Sequence, residues 1–189
     1  LSLERGGQLM ISADFKAKPG VTATSTVVHT DQNYFTSKHL SVKMASAIAG
    51  VPGATAIDLY SFKLKMEWPS ELYIPLGTAV PTKNIKSGGD SFAASAEMTM
   101  HYNAATYEDL YFNNTVQAIG VTAQNTDVTI GTAAKPTIYI PGPKVRLQTF
   151  DIDRGLNDVV TQKVGIKFEF SKADGYMIRP VITNLLASV

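Results

Sequence analysis

The sequence predicts a mainly β fold with antiparallel strands and one short helix, and three observations lead to this prediction. Apolar and polar residues alternate with period two through several segments, which is typical of strands that bury one face. Only one segment carries apolar residues at helical spacing. The strand-like segments are separated by loops rather than by regular helices, and this favours antiparallel pairing.

The two clearest strands are predicted at Tyr60–Trp68 and Phe92–Tyr102. In both segments apolar residues take the even positions and mostly polar residues take the odd positions. The polar positions are Ser61, Lys63, Lys65, Glu67, Ser95, Glu97, Thr99 and His101. We expect the two strands to pair, with their even positions on the core, because that face is too apolar to meet water.

Further strands are predicted from shorter or less regular patterns. Leu9–Lys16 and Val164–Phe170 alternate in the same way, and Val145–Ile152 changes its apolar phase, which a β-bulge near Gln148 explains. The shorter candidates are Leu40–Met44, Val116–Thr122, Thr137–Ile140 and Tyr176–Thr183.

One helix is predicted at Asn103–Asn114, with Asn103 as its N-cap. Tyr107, Leu110 and Tyr111 follow the i, i+3, i+4 spacing of one helix face. Asn113 and Asn114 then end it.

Three stretches show no strong periodicity, namely Lys18–Ser37, Ala45–Thr55 and Pro69–Ser91. The last joins the two clearest strands and is 23 residues long, although loops above about 12–15 residues are uncommon in compact domains. It also carries apolar residues that need a surface to pack on: Leu72, Tyr73, Ile74, Leu76 and Val80.

Length and composition favour a single domain over residues 1–189. The chain has no cysteine, which excludes disulfides, thiolate metal sites and a cysteine nucleophile. Charged residues make up 17% of the chain, where about 25% is usual, so either partners cover much of the surface or the domain has a neutral Thr/Ser-rich surface. The formal net charge of +1, without a basic run, argues against a dedicated nucleic-acid binder. No window is apolar enough for a membrane span.

A search for catalytic or metal-binding residues gives no convergent set. His29, His39 and His101 lie far apart, and we interpret them as surface or interface residues. The acidic cluster from Asp151 to Asp158 is interpreted as a turn between strands, since its calcium-loop pattern is incomplete. Glu67 and Glu97 are a remote candidate for a glycosidase pair across paired strands, and two ordinary surface glutamates are favoured.

From Ser61 to Phe170 the chain resembles the major tail tube proteins of long-tailed bacteriophages, whose fold is shared by the related inner tubes of contractile tails and of type VI secretion. The resemblance lies in the order of the motifs "SFKLKMEW", "PLGTAVPTKNIKSGGD", "SFAASAEMTMHY", "TYEDLYFNN", "VQAIGVTA", "PTIYIPGPKVRLQTFD" and "LNDVVTQKVGIKFEFS". Within these, "LGT" with Pro81, "GGDSF" and "IPGPKV" match family elements, the last only with an insertion.

The resemblance implies an antiparallel β-sandwich or half-barrel that closes into an oligomeric ring, usually a hexamer, and rings that stack into a conduit for genome ejection. It implies a non-enzymatic structural protein of the virion tail, without cofactor or metal. Its implied partners are further copies of itself, the tape-measure protein and other tail proteins, with DNA as weakly contacted cargo and no membrane. Assembly would take place in the bacterial cytoplasm. The missing initial Met leaves two alternatives open, a processed chain or the later part of a longer one.

From this resemblance we expect the eight polar positions of the two clearest strands to face the channel. We expect Pro69–Ser91 to be an assembly loop that docks on the adjacent subunit or the next ring. The alternative function is a β-sandwich carbohydrate-binding or adhesion module of a virion or cell surface, which requires Tyr60, Trp68 or Tyr73 on an exposed groove.

Overall fold

The computed structural model describes residues 2–4, 10–14, 34–68, 70–74, 76, 83–86, 92–102, 105–154 and 159–184. These residues form ten strands, one α-helix and two short 3₁₀ segments. The strands are β1 (Ser2–Glu4), β2 (Leu40–Ala45), β3 (Ser61–Glu67), β4 (Ser70–Tyr73), β5 (Lys83–Lys86), β6 (Ala93–His101), β7 (Gln117–Gln124), β8 (Thr137–Asp153), β9 (Thr161–Phe168) and β10 (Val181–Thr183). The helix is α1 (Thr106–Phe112), and the 3₁₀ segments are Ser37–His39 and Ile48–Gly53.

Eight of these strands form one antiparallel sheet, and β4 and β5 form a separate two-stranded hairpin. The order along the sheet is β1-β3-β6-β9-β8-β7-β2, and β10 also pairs with β8. Within the described residues, β1 and β2 at the two ends do not pair with each other, so the sheet is not closed into a barrel. The predicted class, mainly β and antiparallel with one short helix, is confirmed.

The open sheet is curled. In a flat sheet, the five steps from β3 to β2 would separate these strands by about 24 Å, since neighbouring strands lie about 4.8 Å apart. Val42 of β2 and Phe62 of β3 nevertheless line the same groove, of about 260 Å³. The segment between β2 and β3 is hydrogen-bonded to strands from both halves of the order. Ile57 N–H donates to the Val42 carbonyl of β2, and Tyr60 N–H donates to the Thr99 carbonyl of β6. One apolar core, to which both ends of the strand order contribute, therefore lies inside the curve.

The pairing of β3 with β6 and its buried face are confirmed. Phe62 lies opposite Met98, and Lys63 lies opposite Glu97. The core-facing residues are at most 5% exposed: Phe62, Leu64, Ala94, Ala96, Met98 and Met100. The period-two alternation therefore sets which face of these two strands is buried.

The predicted apolar face fails at the end of β3. Met66 is 45% exposed and Trp68 is 62% exposed, because the buried core on β3 ends at Leu64. Trp68 packs edge to face on Phe92, with ring centroids 5.9 Å apart. The C-terminal end of this alternating segment thus extends beyond the core.

The bulge predicted near Gln148 is confirmed, because the register between β8 and β9 shifts between Leu147 and Thr149. β8 is longer than predicted and runs through Pro141 and Pro143. Pro141 has no N–H, but its carbonyl accepts a hydrogen bond from Arg179 N–H, so the strand keeps a partner on that edge.

The helix is shorter than predicted, with Ala105 as its N-cap; Asn103 lies outside the described residues. The predicted helix face is confirmed, because Tyr107, Leu110 and Tyr111 pack against the core. Tyr111 stacks on Phe150 of β8 at a centroid distance of 6.2 Å. The helix ends at the predicted place, and Asn114 takes a positive φ of 48°.

Three other predictions are corrected. Of the predicted strand Leu9–Lys16, residues 10–14 are described; Met10 sits at a single bridge position, and residues 11–14 lie exposed outside any strand. Of Tyr176–Thr183 only β10 is a strand, since a turn containing Gly175 at φ 79° joins Ser171 to Tyr176. The stretch Pro69–Ser91, for which no strand was predicted, contains the hairpin β4–β5. Its two strands were missed because polar and apolar residues do not alternate regularly in them.

β2, β7 and β9 lie where strands were predicted, with shifted ends. Ile48–Gly53, which showed no periodicity, is a 3₁₀ segment whose Val51 is buried. Among the described residues, no helix is long and apolar enough to cross a membrane.

The buried side chains of β3, β6 and β9 set the first prediction. Replacing Phe62, Leu64, Met98 or Phe168 with Ala should lower the free energy of unfolding by roughly 2–5 kcal/mol, through lost burial and the cavity left behind. The measurement is equilibrium denaturation in urea. Met66→Ala is the matched control, because Met66 lies on the same strand and is 45% exposed. Losses below about 1 kcal/mol at all four core positions would contradict the buried face.

Candidate assembly surfaces

A polar face covers β3, β6, β9 and β8 on the side opposite the core. All eight residues predicted to face a channel lie on it: Lys63, Lys65, Glu67, Ser95, Glu97 and His101 are exposed, and Ser61 and Thr99 are partly exposed. The register extends the face to the neighbouring strands, since Thr99 lies opposite Lys163, and Lys163 lies opposite Asp151. The structure therefore brings the eight residues together, as the alternation predicted.

Positive and negative side chains are interleaved on this polar face. The Lys163 ammonium lies 3.2 Å from a Glu97 carboxylate oxygen, and the Lys65 ammonium lies 2.6 Å from that of Glu67. Four lysines (Lys63, Lys65, Lys163, Lys167) are balanced by four carboxylates (Glu67, Glu97, Asp151, Asp153), and Arg146, opposite Lys167, pairs with Glu169. The face is thus close to neutral while remaining fully polar.

A shallow groove of about 280 Å³ lies in the middle of the polar face. Lys63 and Lys65 line one side, and Gln148 and Thr149 at the bulge line the other. Gly165 forms its floor. A Cβ at this position would collide with the Thr149 hydroxyl. The glycine is needed for the close approach of Thr149 across the bulged pair.

Glu169 joins two cations where β8 and β9 meet. Its carboxylate lies 3.0 Å from the Lys144 ammonium and 3.2 Å from Arg146 Nε. The Lys144 ammonium, followed by Arg146, lowers the pKa of Glu169. Arg146 Nη1 also donates to the Asn114 carbonyl at 2.7 Å, and this bond satisfies a backbone acceptor just beyond α1. The cluster therefore fixes the end of α1 to the sheet.

We define the hairpin end of the sheet as the end where β3 ends at Glu67 and β6 begins at Ala93, and the turn end as the end where β8 and β9 join after Asp153. Several of the large exposed apolar side chains lie at the hairpin end. Those on or next to its strands are Met66, Trp68, Ile74, Leu76, Phe170, Val181 and Ile182. Val159, which is 52% exposed, lies at the turn end.

The predicted assembly loop falls partly within the described residues. Ile74 is 55% exposed and Leu76 is 104% exposed, relative to a free side chain. Leu72 and Tyr73 belong to β4, and Val80 lies outside the described residues. At the two positions whose side chains are described, the loop presents apolar surface to solvent.

His39 is buried, which corrects the interpretation of it as a surface or interface residue. Thr36 N–H donates to His39 Nδ1 at 3.0 Å, so His39 Nε2 carries the hydrogen that it donates to Asp127 Oδ2 at 3.1 Å. Lys38, and after it His39, lowers the pKa of Asp127. The residues from Thr36 to His39 form a capping box, so this histidine is a structural cap. His101 is exposed on the polar face, and His29 lies outside the described residues.

The register does not support a glycosidase pair of Glu67 and Glu97. Glu97 lies opposite Lys63 and Glu67 lies opposite Ala93, so the two glutamates do not face each other. Tyr60 lines the groove between β2 and β3, whereas Trp68 lies at the hairpin end against Phe92. In the described part of the chain, no group of three or more His, Asp or Glu residues is placed to hold a metal ion.

Solved structures share this fold. One is described as the virion of a native gene transfer agent particle, with a TM-score of 0.50 and 13% identity over 82% of this chain and all of that chain. Another is described as the tail of an empty gene transfer agent particle with C6 symmetry, with a TM-score of 0.52 and 14% identity at the same coverage. No family model and no curated protein matches the sequence. At this identity the likeness shows a common fold.

The Glu169 cluster gives a prediction on pH dependence. Because Lys144 and Arg146 depress the pKa of Glu169 in the folded state, its contribution to stability is complete above the unfolded value of 4.5 and is lost as the pH falls through the lower folded pKa. Glu169→Gln should therefore lower the free energy of unfolding at pH 7 and flatten its decline below pH 4.5. Denaturation in urea across this pH range is the measurement. Glu67→Gln, at an exposed pair, is the control and should change little; equal curves for wild type and Glu169→Gln would contradict the role of the cluster.

Proposed function

We propose that this chain is the structural subunit of a phage-like tail tube, in which six copies close into a ring and rings stack into a hollow conduit for genome delivery. The observation that carries the proposal is the fold shared with a chain of a C6-symmetric tail, over 82% of this chain. The order of the sequence motifs from Ser61 to Phe170 supports it independently.

The balanced charge of the polar face supports the proposal that this face lines the channel. A wall that conducts DNA must not hold it, because each phosphate neutralised by a lysine adds favourable counterion release and slows passage. On this face four lysines are offset by four carboxylates, two of them in the pairs Lys163–Glu97 and Lys65–Glu67. Lys144 and Arg146, held against Glu169, add only one net positive charge. Such a wall contacts DNA weakly.

The chemical difference between the two ends of the sheet supports the proposal that rings stack. Seven exposed apolar side chains lie on or next to the strands of the hairpin end, and exposed apolar surface favours a region that a partner covers. An interface between two different ends of the same molecule is heterologous and builds rings or filaments. The low charged fraction of the chain, 17%, agrees with extensive burial between copies.

In this function the chain acts without catalysis or cofactor. Its partners are further copies of itself, with the tape-measure protein and other tail proteins. It resides in the virion tail and is assembled in the host cytoplasm.

Negative-stain microscopy and sedimentation of the purified protein test the proposal. Rings or hollow tubes, formed alone or with tail-tip components as a template, are the expected result. A strictly monomeric protein at high concentration under both conditions would overturn it.

Channel placement is tested by labelling. The chain has no cysteine, so Lys63→Cys and Glu97→Cys each introduce a unique thiol on the polar face. A bulky maleimide conjugate, too large to enter a narrow channel, should label both variants in free subunits and neither in tubes. Phe112→Cys, on α1 and 72% exposed, is the control for the outer surface and should label in both states. Labelling of Lys63→Cys in intact tubes would place the polar face outside.

The assembly loop is tested by shortening. Replacing Leu72–Val80 with a short Gly/Ser linker should leave a folded subunit that fails to polymerise, because the apolar side chains that dock on a neighbour are gone. Ile74→Ser with Leu76→Ser is the milder variant, and Phe112→Ser is the matched control at another exposed apolar site. Tubes of normal stability from the shortened protein would move the assembly surface to Lys18–Ser37 or Ala45–Thr55.

A further inference from the structure

At the hairpin end, β10 has an edge that pairs with no strand among the described residues. Arg179 N–H donates to the Pro141 carbonyl, so Arg179 directs its backbone groups toward β8. Successive residues of a strand alternate between its two edges, and Ile182 therefore directs its N–H and C=O away from β8. No other described strand pairs with β10 on that side.

Both faces of β10 are also uncovered. Val181 is 43% exposed and Ile182 is 64% exposed, although adjacent residues of a strand point to opposite faces. Natural sheets blunt free edges with charge or proline; neither occurs within β10 itself, although Arg179 and Pro180 precede it. An uncovered edge with apolar residues on both faces is suited to receive one short additional strand.

The segment Ile11–Asp14 has the sequence of a strand without the structure of one. It belongs to the alternating pattern from Leu9 to Lys16, yet it lies outside any strand and is exposed, with Ile11 at 66%. Its alternation would bury one face if it paired with an edge.

Along the strand register, this segment starts far from β10 of its own chain. β1 leaves the sheet at Glu4, opposite Ser61, and the register runs from Ser61 through Thr99 and Lys163 to Asp151 on β8. Ile182 pairs with Ile138, thirteen residues from Asp151 along β8, or about 43 Å. Ile11 is seven residues from Glu4 and spans at most about 25 Å.

We infer that Ile11–Asp14 of one copy adds as an antiparallel strand to the free edge of β10 in a second copy, with Ile11 opposite Ile182. In this register Asp14 lies opposite Arg179, so opposite charges meet across the new pair. Ile182 exchanges two backbone hydrogen bonds with Ile11, and Pro180, which has no N–H, limits the added strand to a short one.

The inference rests on the proposed function, because it specifies one contact between stacked copies. The chain leaves β1 toward the turn end, and β10 lies at the hairpin end. A strand that descends from the turn end of one copy therefore meets the hairpin end of the copy beneath it. This arrangement gives the stack a fixed direction.

Disulfide trapping tests the pairing in the cysteine-free chain. Directly opposite residues of a hydrogen-bonded antiparallel pair have Cα atoms about 5.5 Å apart, within the range of a disulfide. Ile11→Cys and Ile182→Cys are mixed, assembled and oxidised, and a linked dimer should form only in the mixture. Ile11→Cys mixed with Phe170→Cys is the control, since Phe170 is exposed at the same end.

A second variant keeps the test independent of thiol chemistry. Ile182→Pro removes only the outward N–H and leaves the bonds to β8, so the subunit should fold and its critical concentration for assembly should rise about tenfold. Ile182→Val is the matched control and should assemble normally.

The outcomes separate the two proposals. Tubes that form without selective linkage, and with normal assembly of Ile182→Pro, overturn the strand pairing and leave the tube function standing. Selective linkage in a protein that never forms tubes supports the strand pairing and overturns the tube function.

Discussion

The rest of the structure depends on the burial of a single face of β3, β6, β9 and β8. Phe62, Met98, Val164 and Val145 fill one core and are at most 1% exposed. Because a strand alternates its side chains, burial of this set directs every intervening residue to the other face. A slip of one residue would bury Lys63, Glu97 and Lys163 and expose the core. The polar face therefore follows from the packing of the core.

Curling and anchoring follow from the same core. The sheet bends until Val42 of β2 and Phe62 of β3 line one groove. Helix α1 covers part of β8 through Tyr111 on Phe150, and Arg146 fixes the helix end through the Asn114 carbonyl. The bulge at Gln148 lets β8 keep Val145 and Leu147, and then Phe150, on the core side in spite of the phase change. The exposed surface includes a nearly neutral polar face and two chemically different ends, which suits the proposed subunit that repeats in one direction.

The sequence predicts well what alternation alone controls. The buried face of β3 and β6, the polar face, the bulge and the helix face all follow from residue spacing. Spacing cannot show where the core ends, so Met66 and Trp68 were expected inside and are exposed. It also cannot show pairing partners, so Leu9–Lys16 was expected to be a strand, although residues 11–14 lie outside any strand in the single chain. Long-range polar contacts were missed for the same reason. The buried His39 cap and the Glu169 cluster depend on a register that only the folded sheet defines.

Cryo-electron microscopy of the assembled protein, at a resolution that traces the strands, is the most direct test of the central claim that the neutral polar face of β3, β6, β9 and β8 lines a channel. The account predicts a hollow tube in which Lys63, Lys65, Glu67 and Glu97 point into the lumen and the apolar core of each subunit lies behind them. A tube whose channel is lined by other strands, or an assembly in which this face meets outside solvent, would contradict it.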